Sequence, residues 1–289
     1  MTDKTIKFRL LKQKIMFGLF RSAALLNGLV VVVVVYFIAS HGLEAISLGF
    51  LTEMPLDSMT KGGILPCIVG TLCLSIGAVA FALPVGIATA IYLNEYARPG
   101  KLVDFIRFAI SNLAGVPSIV FGLFGLAFFC ILMHMGVSIL AGSLTLAVMS
   151  LPVIIGSSEE ALRAVPKTYR EASLGIGATQ WQTTYRVVLP AALPGILTGT
   201  ILALSRAAGE TAPIMFTGAV FFTPEMPSSI MSEVMALPYH IYVLATAGLN
   251  IEQTRPMQYG TALVLIVLVL GMNLFAIILR QRLRKKLNI

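Results

Sequence analysis

The chain has 289 residues, of which 57% are hydrophobic and only 12% charged. A soluble domain carries about 25% charged residues, so most side chains here face lipid or other apolar helices. The net charge of +8 does not mark a nucleic-acid binder, because the basic residues flank apolar runs and do not line one face.

Six apolar runs approach the ~20 residues needed to cross a bilayer. In chain order they are Gly18–Ala39, Ile64–Tyr92, Phe108–Met133, Val137–Gly156, Ala191–Ala212 and Gly260–Leu279. The first follows a basic stretch, but it is long and lacks a small-residue cleavage site. It reads as an anchor and not as a leader. Pro84 is placed to kink the second run. Gly115, Pro117, Gly122 and Gly125 make the start of the third irregular.

Charge orients the six spans. With the N-terminus inside, the basic clusters Lys4–Arg21, Arg98–Arg107, Arg163–Arg186 and Arg280–Lys286 all fall on the cytoplasmic side. Of the 21 lysines and arginines, only Lys61 and Arg255 fall outside, and Arg206 lies within a span. An odd number of helices would put one basic terminus on the wrong side. The expected fold is therefore all-α and polytopic, with six transmembrane helices and both termini cytoplasmic. A basic segment 1–17 precedes a membrane domain 18–280, and a basic tail 281–289 follows it. The 4–5 connection, about 157–190, is cytoplasmic, and the 5–6 connection, about 213–259, is external. Pro224, Pro227 and Pro238 punctuate that external stretch into short apolar pieces such as Ile230–Leu237, and part of the stretch is a candidate re-entrant or surface helix.

Little else in the chain points to chemistry. Cys67, Cys73 and Cys130 sit in apolar stretches, where cysteine acts as a small filler. Their odd number and the absence of CxxC argue against a disulfide framework. His41, His134 and His240 are scattered without metal-ligand spacing, so neither a metal nor a cofactor is expected. A phosphate-cradling loop needs G-x4-G-K-[ST]. The one Gly-Lys pair, Gly100-Lys101, lacks that context, so the chain is not expected to be an enzyme.

The 4–5 connection is too long for a turn. Two helix-forming stretches flank Gly175–Gly177. Pro166 is suited to start the first stretch and Thr179 to cap the second, with Pro190 expected to end it. A surface helix with a tight bend suits docking into a partner's groove, and also suits lying in the membrane interface alone. The spacing Glu171-Ala172-Ser173, three residues, Gly177, nine residues, Val187-x-Leu189-Pro190 resembles the EAA loop of ABC importer permeases. It departs only at Ser173 for alanine and at Val187 for isoleucine. The resemblance implies the type I permease fold. It also implies that Glu171, Ala172, Gly177, Leu189 and Pro190 belong to a coupling loop seated on a separate ATPase subunit.

The fifth span contains Arg206 and Glu210, four residues apart and so expected on one helix face. Intramembrane charges face a bundle interior or a wet path. They serve either as an ion pair pinning helices or as a station for an anion, since the arginine fork matches oxyanion geometry. Arg170, ahead of the EAA segment, is either a charge anchor at the membrane surface or an accessory functional residue.

The run Arg206-x-x-Gly209-Glu210-Thr211-Ala212-Pro213 resembles phosphate-specific ABC importer permeases, as do Leu113–Leu123 and Phe50–Gly63. Within that family, the length and N-terminal half are similar to the second of two permease subunits. The resemblance implies an inner-membrane, multi-pass location and a translocation role for Arg206, Glu210 and Thr211. Its implied partners are a homologous permease in a heterodimer, two copies of a cytoplasmic ATPase, an external phosphate-binding protein, phosphate and membrane lipid, with no nucleic acid. Sulfate or molybdate as cargo, or a transporter working alone, are the competing readings.

Overall fold

A computed structural model describes residues 3–56, 61–223, 225–247 and 251–286. Helix α1 (Asp3–Gly42) is followed by α2 (Leu48–Thr52), whose Ser47 side chain caps the amide of Phe50 at 3.0 Å. A two-stranded antiparallel turn, Pro55–Leu56 with Lys61–Gly62, leads into α3 (Leu65–Ile91). A wider π-helical turn, Tyr92–Tyr96, carries α3 past its apolar part. Next come α4 (Lys101–Ala114), α5 (Ser118–Gly125) with a π-helical extension to Leu132, and α6 (Ile139–Ala164). The 4–5 connection holds α7 (Lys167–Gly175) and α8 (Gln180–Thr183). Then α9 (Leu189–Gly209), α10 (Ile214–Thr217), α11 (Leu237–Thr246) and α12 (Ile251–Lys286) complete the chain. The architecture is all-α, as expected. Lys4, Lys7, Asp57, Lys61, Pro224, Glu252 and Lys286 lie outside the residues whose side chains are described.

Among the described residues five helices are long and apolar enough to cross a membrane, and a sixth span exists if α4 and α5 with its extension count as one bent unit. That unit bends by 103° between Ala114 and Ser118. The third span is therefore not one helix from Phe108. Gly115 ends α4, and Pro117 has the extended backbone, φ −58° and ψ 141°, that starts α5. A proline cannot supply the amide that would continue α4. Leu102, Phe105 and Phe108 recur along α4 and are all exposed, the pattern of a helix lying along an apolar surface.

The two helices α3 and α6 pack tightly along their length. A Cβ added at Gly86 would come 2.6 Å from Ile154 Cγ2, and one at Gly77 would collide with Ser143 Oγ. Small residues at helix contacts let backbones approach where lipid offers no hydrophobic drive for association. Buried hydroxyls on these helices turn inward to their own backbone: Thr71 donates to the Cys67 carbonyl at 2.7 Å and Ser75 to Thr71 at 2.6 Å. Thr71 Oγ1 also accepts the Leu237 amide at 2.9 Å, fastening the start of α11 to α3.

Around this pair the buried residues form several separate clusters. Leu74, Ala78, Phe121, Leu146, Ala207, Ile214, Val234 and Ala236 form one buried cluster, and Ala90, Leu162, Val188 and Ile196 another. The first cluster includes residues of the stretch read as an external loop. Ile214, Ala219, Val234 and Ala236 are buried in it, Met235 and Leu237 are buried in a cluster with Phe50 and Ile64, and the Ser138 amide donates to the Thr217 carbonyl at 3.0 Å. Much of that connection is thus folded back into the bundle. Outside it, α1 leaves its apolar residues 8–37 exposed, touching the rest through Phe37 and His41 against Tyr259.

Candidate functional site

The EAA segment lies on α7 and the turn after it. Glu171 and Ala172 are exposed on α7. Gly177 has φ +85°. Its amide donates to the Leu174 carbonyl at 2.9 Å, and the Ala178 amide donates to Ser173 at 3.2 Å. This pair of bonds is a Schellman motif, which needs a left-handed residue where Gly177 sits. No atom lies within 4 Å of a Cβ built there, so the requirement for glycine is conformational and not one of space.

The departure at Ser173 has a local reason. Its Oγ lies 2.9 Å from Thr183 Oγ1, both buried, so the hydroxyl joins α7 to α8 across the bend. Thr179 caps α8 as expected, in a reciprocal box with Gln182. Pro190 does not end the helix. Residues Gln180–Gly209 run as one helical path, and the π-helical turn Thr184–Val188 precedes Leu189 and Pro190 in the first turn of α9. The Leu189 amide bonds to the Thr184 carbonyl across the π-helical turn, so the amide that proline lacks interrupts the hydrogen-bond ladder without ending the path.

Arg170 is bonded on several sides. Its Nη2 and Nε hold the Glu95 carboxylate at 2.7 and 3.2 Å, and its Nη2 and Nη1 donate to the carbonyls of Leu162 and Val165, each at 2.9 Å. The Glu95 side chain is only 9% exposed. Gln180 Nε2 also donates to the Glu95 backbone carbonyl. A cavity of about 490 Å³ opens here, lined by Asn94, Glu95, Arg163, Lys167, Arg170 and Glu171. Sequence reasoning missed Glu95. It stands alone in the run Tyr92–Tyr96, and its partner is 75 residues away. An acidic residue at the end of an apolar span was the available signal.

Arg206 and Glu210 pair at 3.2 Å, with side chains 42% and 18% exposed. They do not share a helix face. Glu210 has left the helix, with φ −76° and ψ 132°, and Arg206 occupies the last turn of α9. A cation there is favoured by the negative end of the helix dipole. Thr211 follows, half-buried, and its carbonyl accepts the Met215 amide at 3.2 Å. Against this turn lies Gly122 of α5, whose added Cβ would be 2.9 Å from the Ala212 oxygen and 3.0 Å from Pro213 Cα. The segments Leu113–Leu123 and Arg206–Pro213 are therefore neighbours. The EAA set and the Arg206 set are not brought together. Leu189 and Arg206 stand at opposite ends of α9, about 25 Å apart at 1.5 Å per residue. Among the described residues no group of three or more His, Cys, Asp or Glu is placed to hold a metal.

Residues 82–289 match the family model described as the binding-protein-dependent transport system inner membrane component. The chain is 33% identical over 291 residues to the probable ABC transporter permease protein YqgI of Bacillus subtilis (strain 168), covering 97% of this chain and 99% of that protein. It is 34% identical over 245 residues to the phosphate transport system permease protein PstA of Xylella fastidiosa (strain Temecula1 / ATCC 700964), covering 84% of each. It is 39% identical over 216 residues to the PstA of Mycobacterium leprae (strain TN), covering 74% of this chain and 69% of that one. Its fold is similar to an inward-facing MetNI methionine ABC transporter chain (TM-score 0.62, 20% identity, 76% of this chain and 95% of that one). It is also similar to a bacterial alginate ABC transporter chain (TM-score 0.60, 14% identity, 89% and 93%). Its sequence relatives and family match agree with its helical architecture: the chain belongs to the family of binding-protein-dependent transport system inner membrane components, as a multi-pass permease subunit of an ABC importer.

Proposed function

We propose that this permease subunit carries inorganic phosphate, with Arg206, Glu210 and Thr211 on the translocation path. The observation that carries this reading is the Arg206–Glu210 pair at 3.2 Å, considered with the relatives named phosphate transport system permease proteins. The arginine is half-exposed and keeps donors available. Its planar fork suits a tetrahedral oxyanion. Glu210 orients the fork and competes for it, so that the anion binds and still leaves.

In the same reading α7 and its turn form the handle for the ATPase, through Glu171, Ala172, Gly177, Leu189 and Pro190. Tyr169, Leu174, Ile176, Trp181 and Tyr185 around that bend are all exposed, and Trp181 stacks on Tyr185 at 6.0 Å. An apolar cluster of this kind on a polar connector suits burial against a protein partner. An importer permease works with an ATPase and a substrate-binding protein. The proposed assembly is a heterodimer with a homologous permease above two ATPase copies, served by an external phosphate-binding protein, with both termini cytoplasmic.

The test is uptake of labelled phosphate, sulfate and molybdate at limiting concentration in cells lacking the chain. Loss of phosphate uptake alone supports the proposal. Intact phosphate uptake with loss of sulfate or molybdate uptake overturns it.

A further inference from the structure

Glu95 has a place in the fold that the EAA segment alone does not explain. It sits at the end of the π-helical turn that extends α3. Both arms of the 4–5 connection reach it. Arg170 of α7 grips the carboxylate through two nitrogens, at 2.7 and 3.2 Å. Gln180 of α8 donates to the backbone carbonyl. Asn94 Nδ2 braces Oε1 from the side at 2.7 Å. The same arginine is tied to the end of α6 through the carbonyls of Leu162 and Val165. Thus α3, α6, α7 and α8 meet at one carboxylate–guanidinium pair that is largely withdrawn from water.

Beyond that joint, α3 is stiffly connected. It packs closely on α6 at Gly86 and Gly77. Ala82 shares a buried cluster with Ala203, and Ala78 another with Ala207, the neighbour of Arg206. A displacement of α7 pulls on Glu95, and α3 with α6 carries it toward the end of α9 that holds Arg206. Close-packed interiors transmit strain in this way because they have little compressibility.

We propose that the Glu95 carboxylate is a positioning residue that converts movement of α7 into movement of the α3–α6 pair, and so sets how tightly ATP hydrolysis is coupled to transport. The proposal rests on the reading of α7 as the ATPase handle. Without this joint α7 still docks, since its exposed residues are unchanged, but its movement is lost in the bend around Gly177.

The experiment uses the complete complex in proteoliposomes with its binding protein, phosphate as substrate, and two readouts: ATPase co-purification and phosphate imported per ATP hydrolysed. Glu95→Gln is expected to keep ATPase co-purification and to lower the import ratio about tenfold, within the range of coupling between distant sites. Arg170→Gln and the double variant are expected to fall to the same level, since both remove one joint. An unchanged ratio in Glu95→Gln, or losses that multiply in the double variant, overturns the proposal. If Glu95→Gln fails to accumulate, Arg170→Lys replaces it. Lysine keeps the charge but loses the fork, and an unchanged ratio there overturns the proposal equally. A wild-type complex lacking the ATPase would overturn the docking reading instead, whatever Glu95 does.

Discussion

Gly122 and Pro213 stand so close that a methyl group on the glycine would lie 3.0 Å from the proline Cα. That contact fixes where the chain turns after Arg206 and Glu210. Gly122→Ala is expected to push the turn away, costing about 1–3 kcal/mol as overpacking does. Phosphate uptake is expected to fall while ATPase co-purification stays at the wild-type level. Labelled-phosphate uptake normalised to membrane abundance checks it, and uptake at the wild-type rate would show that the turn's position is immaterial.

Arg206 is held by one carboxylate and is 42% exposed. Its removal should therefore spare the fold and strike transport. Charge-assisted hydrogen bonds contribute about 1.5–3 kcal/mol, so Arg206→Gln is expected to reduce uptake on the order of tenfold to a hundredfold at normal abundance. Arg206→Lys should recover little, because an ammonium lacks the planar fork. Full uptake by the lysine variant would mean that only charge matters, and loss of abundance in the glutamine variant would mark the pair as structural.

At Gly177 the backbone alone sets the outcome, since φ is +85° and nothing crowds the site. A non-glycine residue in the left-handed region costs about 1–2 kcal/mol, with asparagine the best tolerated. The amount of ATPase recovered with affinity-purified permease should rank glycine, then asparagine, then alanine, then valine. A ranking by side-chain size alone, with alanine above asparagine, would point to steric conflict with the partner.

The hydroxyl pair of Ser173 and Thr183 offers a stability test away from transport. Ser173→Ala restores the family's alanine but strands the Thr183 hydroxyl, which is only 4% exposed. An unsatisfied buried polar group costs about 1–3 kcal/mol, whereas removing both partners is nearly neutral. The single variant should therefore melt below the wild type in detergent, and Ser173→Ala combined with Thr183→Val should recover most of the loss. Additive losses would exclude the bond.

Hydropathy and spacing located α1, α3, α6, α9 and α12 because lipid solvation writes itself into runs of apolar residues. The EAA spacing located α7 and its glycine for a similar reason: the Schellman turn depends on neighbours in sequence. The same local logic fell short at three places. Pro190 was expected to stop a helix, but the path from Gln180 runs through it, because the preceding π-helical turn changes which amides need partners. The irregular start expected at Gly115 and Pro117 is a 103° bend between two helices, a size that local spacing did not give. Glu210 left the helix, although four-residue spacing alone would have kept it beside Arg206 on one face.

Composition and order along the chain by themselves determined a helical membrane protein, its apolar spans and the candidate residues at Glu171–Pro190 and Arg206–Pro213. Only the tertiary structure decided that Glu95 meets Arg170, that Gly122 abuts Pro213, and that the stretch after α9 folds back into the bundle. The physical reason is range. Apolar burial and turn geometry act over a few residues and leave periodic marks. A single ion pair across 75 positions, or a missing methyl group where two segments touch, leaves no mark until the helices are packed.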